Sequence, residues 1–230
     1  MLQFKNMVNP KKVVIFSHGF GLRKDNRGLF TLLGKEIEGL GFETVYFDYN
    51  KYDPKTKKLY TIPFSAQAKK LQRVIDQVSD RYPNYKIYII GQSQGSFIPA
   101  LCNTKRIDKI IGMSPFFHTD MKDIMRRYTK SKENVLNFSG ISIRRRTDGS
   151  ITIIPPEYWK ERFETDVVSL YNSLALKTDL VLISPLQDEI MDIMDLRKIK
   201  HASIINLDGD HDFSSEYRFD LVKTVLNQLV

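Results

Sequence analysis

The stretch Ile87-Tyr88-Ile89-Ile90-Gly91-Gln92-Ser93-Gln94-Gly95-Ser96-Phe97-Ile98 decides how the rest of the chain is read. Its opening apolar run has the length and β-branching of a strand buried on both faces. That run leads directly into Gly-x-Ser-x-Gly. A serine held in a sharp strand-to-helix turn needs minimal side chains two positions to either side, because neighbouring backbone crowds those places. Gly91 and Gly95 meet the need. Such a turn presents the Ser93 hydroxyl at the C-terminal edge of the sheet, where open α/β folds bind ligands. Pro99 removes a backbone donor early in the following helix and predicts a kink there.

Outward from this turn, short apolar runs alternate with amphipathic segments. Val13 to Ser17, Thr44 to Phe47, Lys86 to Ile90, Ile110 to Met113, Leu180 to Ile183 and Ser203 to Leu207 read as strands. Between them, Leu29, Leu33, Ile37 and Leu40 share one helical face, as do Ala68, Leu71, Ile75, Val78 and Tyr82. Val167 to Leu176 and the segment carrying Leu221, Val222, Val225, Leu226 and Leu229 complete the helices. Strands that are nearly all apolar and separated by helices predict a mostly parallel, doubly wound α/β sheet with helices on both faces.

The rhythm breaks between about residues 115 and 165, which predicts a cap inserted into a single domain spanning 1–230. Helical patches cover Met121 to Tyr128 and Pro156 to Phe163. Ile141-Ser142-Ile143 and Ile151-Thr152-Ile153 flank Asp148-Gly149, a dipeptide favoured in two-residue hairpin turns. Arg144-Arg145-Arg146 on that hairpin is expected to be a solvated strand edge blunted by charge, and Lys55, Lys57 and Lys58 a solvated loop.

Composition narrows the class. There are 35 Lys and Arg against 27 Asp and Glu, a net charge of +8, and 42% of residues are hydrophobic. That is ample for a core and too apolar for a disordered chain. Cys102 is the single cysteine, so an internal disulfide and a Cys-x-x-Cys metal site are excluded. The first ten residues lack the apolar stretch of a secretory signal, and no run approaches the ~18 apolar residues of a membrane span. The expectation is a cytoplasmic protein with no membrane span, no cofactor, no metal and no nucleic-acid partner, since no nucleic-acid motif accompanies the charge. Its oligomeric state is open.

A serine hydroxyl needs a base to take its proton and a carboxylate to orient that base. Four histidines are available: His18, His118, His201 and His211. His211 lies in Leu207-Asp208-Gly209-Asp210-His211-Asp212-Phe213, after the last strand and at the sheet edge that carries Ser93, so it is the expected base. His201 reads as a surface residue. In Ser184-Pro185-Leu186-Gln187-Asp188-Glu189, Asp188 is the preferred carboxylate, with Asp192 and Asp195 as competitors. The order Ser93, Asp188, His211 is the one expected of an α/β-hydrolase sheet. An oxyanion formed during acyl transfer needs backbone donors, and the amides of Gln94 and of Phe20, in Ser17-His18-Gly19-Phe20-Gly21, are candidates. His18 is then expected to brace its loop. Phe116, Phe117 and Trp159, with Tyr158 and Phe163, are candidate pocket walls from the cap.

Taken together, His18-Gly19-Phe20-Gly21, Gly91-Gln92-Ser93-Gln94-Gly95, Met113-Ser114-Pro115, Gln187-Asp188-Glu189 and Gly209-Asp210-His211 resemble the α/β-hydrolase superfamily over nearly the whole chain. The likeness is to small bacterial cinnamoyl or feruloyl esterases and to serine aminopeptidase-like and lysophospholipase-like hydrolases. It implies a Ser93 nucleophile, a His211 base, an Asp188 orienter, Phe20 and Gln94 oxyanion donors, and a cap after the strand ending at Ser114. Gln92 stands where such relatives commonly carry histidine, and Ser96 replaces a frequent glycine. Asp48 to Lys55 replaces a Gly-x-Gly turn, so the pocket rim is expected to differ. The expected activity is hydrolysis of a small-molecule carboxylic ester by a Ser-His-Asp triad. Peptide or amide hydrolysis, and ligand binding without turnover, are the alternatives.

Overall fold

The computed structural model describes residues 11–117, 121–129, 131–191 and 193–229. Its main sheet has six parallel strands: β1 (Lys12–Ser17), β2 (Glu43–Tyr46), β5 (Lys86–Gln92), β6 (Lys109–Met113), β9 (Asp179–Pro185) and β10 (Ser203–Leu207). Their spatial order is β10-β9-β6-β5-β1-β2. All six begin within a residue or two of the apolar runs that predict them.

Side-chain alternation divides the core into two layers. Ile15, Ile89, Ile110 and Leu180 lie side by side across four strands and belong to the cluster on one face. One residue further along, Phe16, Ile90, Ile111 and Val181 form the matching row on the other face. The first layer is covered by α2 (Phe64–Arg81) and α6 (Val167–Ala175), the second by α1 (Leu29–Gly39) and α7 (Tyr217–Asn227). Leu40, expected on the buried face of α1, falls just past its end and is 49% exposed. After Ser93 the chain makes only one turn of α-helix, α3 (Gln94–Phe97), before a 3-10 turn over Ile98–Leu101 that holds Pro99. The expected kink is therefore a change of helix type.

The inserted cap contributes α4 (Met121–Tyr128), β7 (Ser142–Arg145), β8 (Ile151–Ile154) and α5 (Pro156–Glu164). Two strands outside it, β3 (Lys51–Asp53) and β4 (Lys58–Tyr60), join β7 and β8 in a second sheet of order β3-β4-β8-β7. The segment read as a loop around Lys55 is thus a hairpin. Its strands are three residues long and polar, too short to give a period-2 signal. β4 pairs parallel with β8, which ties the cap to the core domain. The β7–β8 connection also differs from the two-residue turn predicted from Asp148-Gly149. Arg146 N–H still bonds Ser150 O at 2.9 Å, leaving residues 147–149 as a three-residue loop with Gly149 at φ 78°.

Candidate active site

Ser93 has φ 53° and ψ −124°, a strained conformation that costs ~1–3 kcal/mol and persists only when its surroundings enforce it. Its N–H is held by Met113 O at 2.8 Å, and its carbonyl accepts from Ser96 Oγ at 2.6 Å. The glycines meet the steric demand. A Cβ on Gly95 would lie 1.9 Å from Ser17 O, and one on Gly91 would lie 2.4 Å from Gly95 O.

The loop after β10 brings His211 beside this turn, and the loop after β9 brings Asp188 beside His211. His211 Nε2 is 2.9 Å from Ser93 Oγ. His211 Nδ1 is 2.8 Å from Asp188 Oδ2 and 3.0 Å from Oδ1. The Asp188 side chain is 2% exposed, and its Oδ1 also accepts from the amides of Ile190 and Met191, each at 2.8 Å. This carboxylate is fixed by backbone as well as by the imidazole. Asp192 and the Asp195 side chain, its competitors in sequence, lie outside the described residues, as does His118.

Three residues of unassigned role hold the His211 main chain. Its carbonyl accepts from Ser114 Oγ at 2.6 Å and Gln92 Nε2 at 3.2 Å, and its N–H donates to Glu189 Oε2 at 3.2 Å. Gln92 is therefore a clamp on the loop of His211. No sequence signal ties Ser114 and Gln92 to His211, because these contacts join segments 97 and 119 residues apart.

His18 braces its loop as expected. Its Nε2 accepts from Tyr49 N–H at 3.0 Å, which leaves Nδ1 to donate to Gly19 O at 3.0 Å. Burial lowers its pKa below the ordinary 6.5. The Phe20 and Gln94 amides lie in the turns after β1 and after Ser93, and neither donates to an acceptor among the described residues. The Gln94 side chain is locked separately, donating to Gln67 Oε1 and accepting from Tyr158 Oη, each at 2.7 Å.

Ser93 and His211 open onto a cavity of about 300 Å³. Phe20 and Phe116 line it, and Trp159 lines a smaller adjoining cavity. Phe117 lines neither and packs on Tyr171 at 5.7 Å. The main departure from expectation is charge: Arg27, Arg127, Arg144, Arg146 and Arg162 all line the larger cavity. The triplet read as a solvated edge is split by strand alternation. Arg145 faces out and pairs with Glu133 at 2.5 Å, while Arg144 and Arg146 turn inward. Arg146 donates to Phe20 O and Thr152 Oγ1, each at 3.1 Å. Burial, then the neighbouring Arg144 and Arg27 charges, bring its guanidinium down to about 10, so it stays protonated at neutral pH. Among the described residues Asp212 is the one carboxylate in this lining, and it pairs with Arg27 at 2.6 Å. Among the described residues no group of three or more His, Cys, Asp or Glu could hold a metal, and no helix is long and apolar enough to cross a membrane.

Solved structures share this fold at low sequence identity. Est1E from Butyrivibrio proteoclasticus superposes with a TM-score of 0.66 at 15% identity, covering 97% of this chain and 90% of that one. A monoacylglycerol lipase from Paleococcus ferrophilus gives 0.68 at 14%, covering 96% and 95%. The esterase domain of a Rhodothermus marinus protein gives 0.63 at 16%, covering 97% and 88%. No curated protein matches at the level of sequence. The family described as serine aminopeptidase, S33, matches residues 8–158. With the six-stranded parallel sheet and the inserted cap, this match makes the chain a member of the serine aminopeptidase S33 family of α/β-hydrolases, enzymes of the serine hydrolase type.

Proposed function

We propose that the protein hydrolyses a carboxylic ester through an acyl-enzyme formed on Ser93. The observation carrying this reading is the hydrogen-bonded series from Ser93 Oγ through His211 to Asp188, at 2.9 and 2.8 Å. In the first step Ser93 Oγ attacks the ester carbonyl as His211 Nε2 takes its proton. Asp188 stabilises the imidazolium, and the amides of Phe20 and Gln94 receive the oxyanion. His211 then returns the proton to the leaving alcohol. In the second step His211 takes a proton from water, hydroxide attacks the acyl carbon, and Ser93 recovers its proton as the acid leaves.

The family description makes amide hydrolysis the second reading. An aminopeptidase has to hold a cationic α-amino group, and a cavity whose described lining has five guanidinium groups and one carboxylate already paired to Arg27 repels it. Ester hydrolysis is therefore preferred. A fluorophosphonate probe followed by peptide mass spectrometry tests the nucleophile. Labelling is expected at Ser93, and labelling elsewhere or none at all overturns the reading. Turnover of p-nitrophenyl butyrate should exceed that of aminoacyl p-nitroanilides, and the reverse order would favour the amide alternative.

A further inference from the structure

Beside the reaction cavity lies a second one of about 50 Å³, and the two share Phe20, Arg127, Arg144 and Arg162 as walls. Tyr128 also lines the smaller cavity. It is 6% exposed, and its hydroxyl has no hydrogen-bond partner among the described residues. Buried hydroxyls are ordinarily hydrogen-bonded, so this one is a donor with its acceptor missing. The neighbouring Tyr158 hydroxyl is already spent on Gln94.

The arginines around this cavity lack carboxylates of their own among the described ion pairs, Arg162 being set aside. Asp212, Asp123 and Glu133 pair with Arg27, Arg126 and Arg145. Arg127 donates to the Ile190 carbonyl at 2.8 Å. The Arg144 guanidinium meets no acceptor among the described residues, and burial together with the charges of Arg27 and Arg162 lowers its pKa. Guanidinium groups gathered in a partly dry pocket repel one another unless an anion joins them, and their planar forks match carboxylate and phosphate oxygens. This space of about 50 Å³ is small beside the neighbouring reaction cavity of about 300 Å³. With three guanidinium groups in its walls it suits a compact anionic group.

We infer that this smaller cavity is a subsite for an oxyanion group, and that the substrate is an ester ending, away from the scissile bond, in a carboxylate or a phosphate. The group sits between Arg144 and the Tyr128 hydroxyl with Arg127 beside it, while the ester carbonyl reaches Ser93. This inference rests on the proposed role of Ser93.

Two matched pairs of p-nitrophenyl esters test it: the hydrogen adipate against the adipic monoamide ester, and the 4-phosphonobutanoate against its dimethyl phosphonate. At least one charged ester is expected to exceed its neutral partner in kcat/KM by about 10- to 100-fold, the scale of one or two charge-assisted hydrogen bonds. Whichever pair shows the larger ratio identifies carboxylate or phosphate as the preferred group. Arg144→Gln should bring the ratio close to one. Tyr128→Phe removes only an unpartnered hydroxyl, so the protein should stay folded while the ratio falls several-fold. Arg145→Gln, on the outer face, should leave the ratio unchanged. Ratios near one in the unaltered protein, with Ser93 still labelled by fluorophosphonate, overturn the subsite and leave the serine hydrolase reading intact. No labelling at Ser93 removes both.

Discussion

The sheet edge that carries Ser93 and the face of the cap that carries Arg144 border one cavity, yet they are specified in different ways. At the sheet edge, backbone decides position. Gly91 and Gly95 admit the turn, Ser93 sits directly after β5, and His211 and Asp188 occupy the loops after β10 and β9. Each side chain points where its strand end delivers it. On the cap, side-chain parity decides. Arg144 and Arg146 face the cavity and Arg145 faces away because β7 pairs with β8 in one register and not the next. A site built by topology should therefore fail sharply on a single substitution, and a wall built by register should respond by degrees.

The largest effect is expected at the sheet edge. Asp188→Asn removes the charge facing His211 while keeping shape, and should lower kcat by about 10³- to 10⁴-fold, or about 4–5.5 kcal/mol, with the fold retained. Retained circular dichroism together with a loss of less than tenfold would show that this carboxylate does not orient the base.

A smaller change is expected in the cap. Ser142 Oγ is buried, donates to Asn137 O at 3.0 Å and accepts from Trp159 Nε1 at 3.0 Å and Asn137 N at 2.9 Å. Ser142→Ala strands two donors and should cost about 1–3 kcal/mol in denaturant unfolding. An unchanged midpoint would mean that the cap does not depend on this residue for its packing.

The smallest effect concerns pH. Burial depresses the His18 pKa below 6.5, so the unfolded chain takes up this proton at a higher pH than the folded one. Stability should fall as the pH drops below about 6.5, by at most about 1.4 kcal/mol per pH unit. His18→Gln should flatten that slope in thermal melts between pH 7 and 5. A variant as acid-sensitive as the unaltered protein would place the effect elsewhere.

The same contrast governs what could be read from the sequence. Long apolar strands and amphipathic helices announce themselves by period, and they carry Ser93, Asp188 and His211 to their ends at positions that can be counted. The strands β3 and β4 are short and polar, so only the β7–β8 hairpin of the second sheet is legible in the sequence. Without β3 and β4 nothing marks which face of that hairpin is covered, and solvation is the natural expectation for three consecutive arginines. Arg27, Arg127 and Arg162 come from three further segments, and only tertiary packing brings them together. Gln92 and Ser114 were visible as departures or matches in a motif, but their grip on the His211 carbonyl depends on contacts across more than ninety residues.

The pairing of β4 with β8 has a consequence for how this enzyme could be re-engineered. Its parallel ladder aligns Lys58, Leu59 and Tyr60 with Ile151, Thr152 and Ile153. The cap is consequently not a detachable module. Excising residues 115–165, or grafting a cap from another hydrolase, would leave β4 an open edge with unpaired amides and carbonyls, a template for intermolecular pairing. A transplanted cap would have to bring its own strand in register with β4, or replace the β3–β4 hairpin along with it.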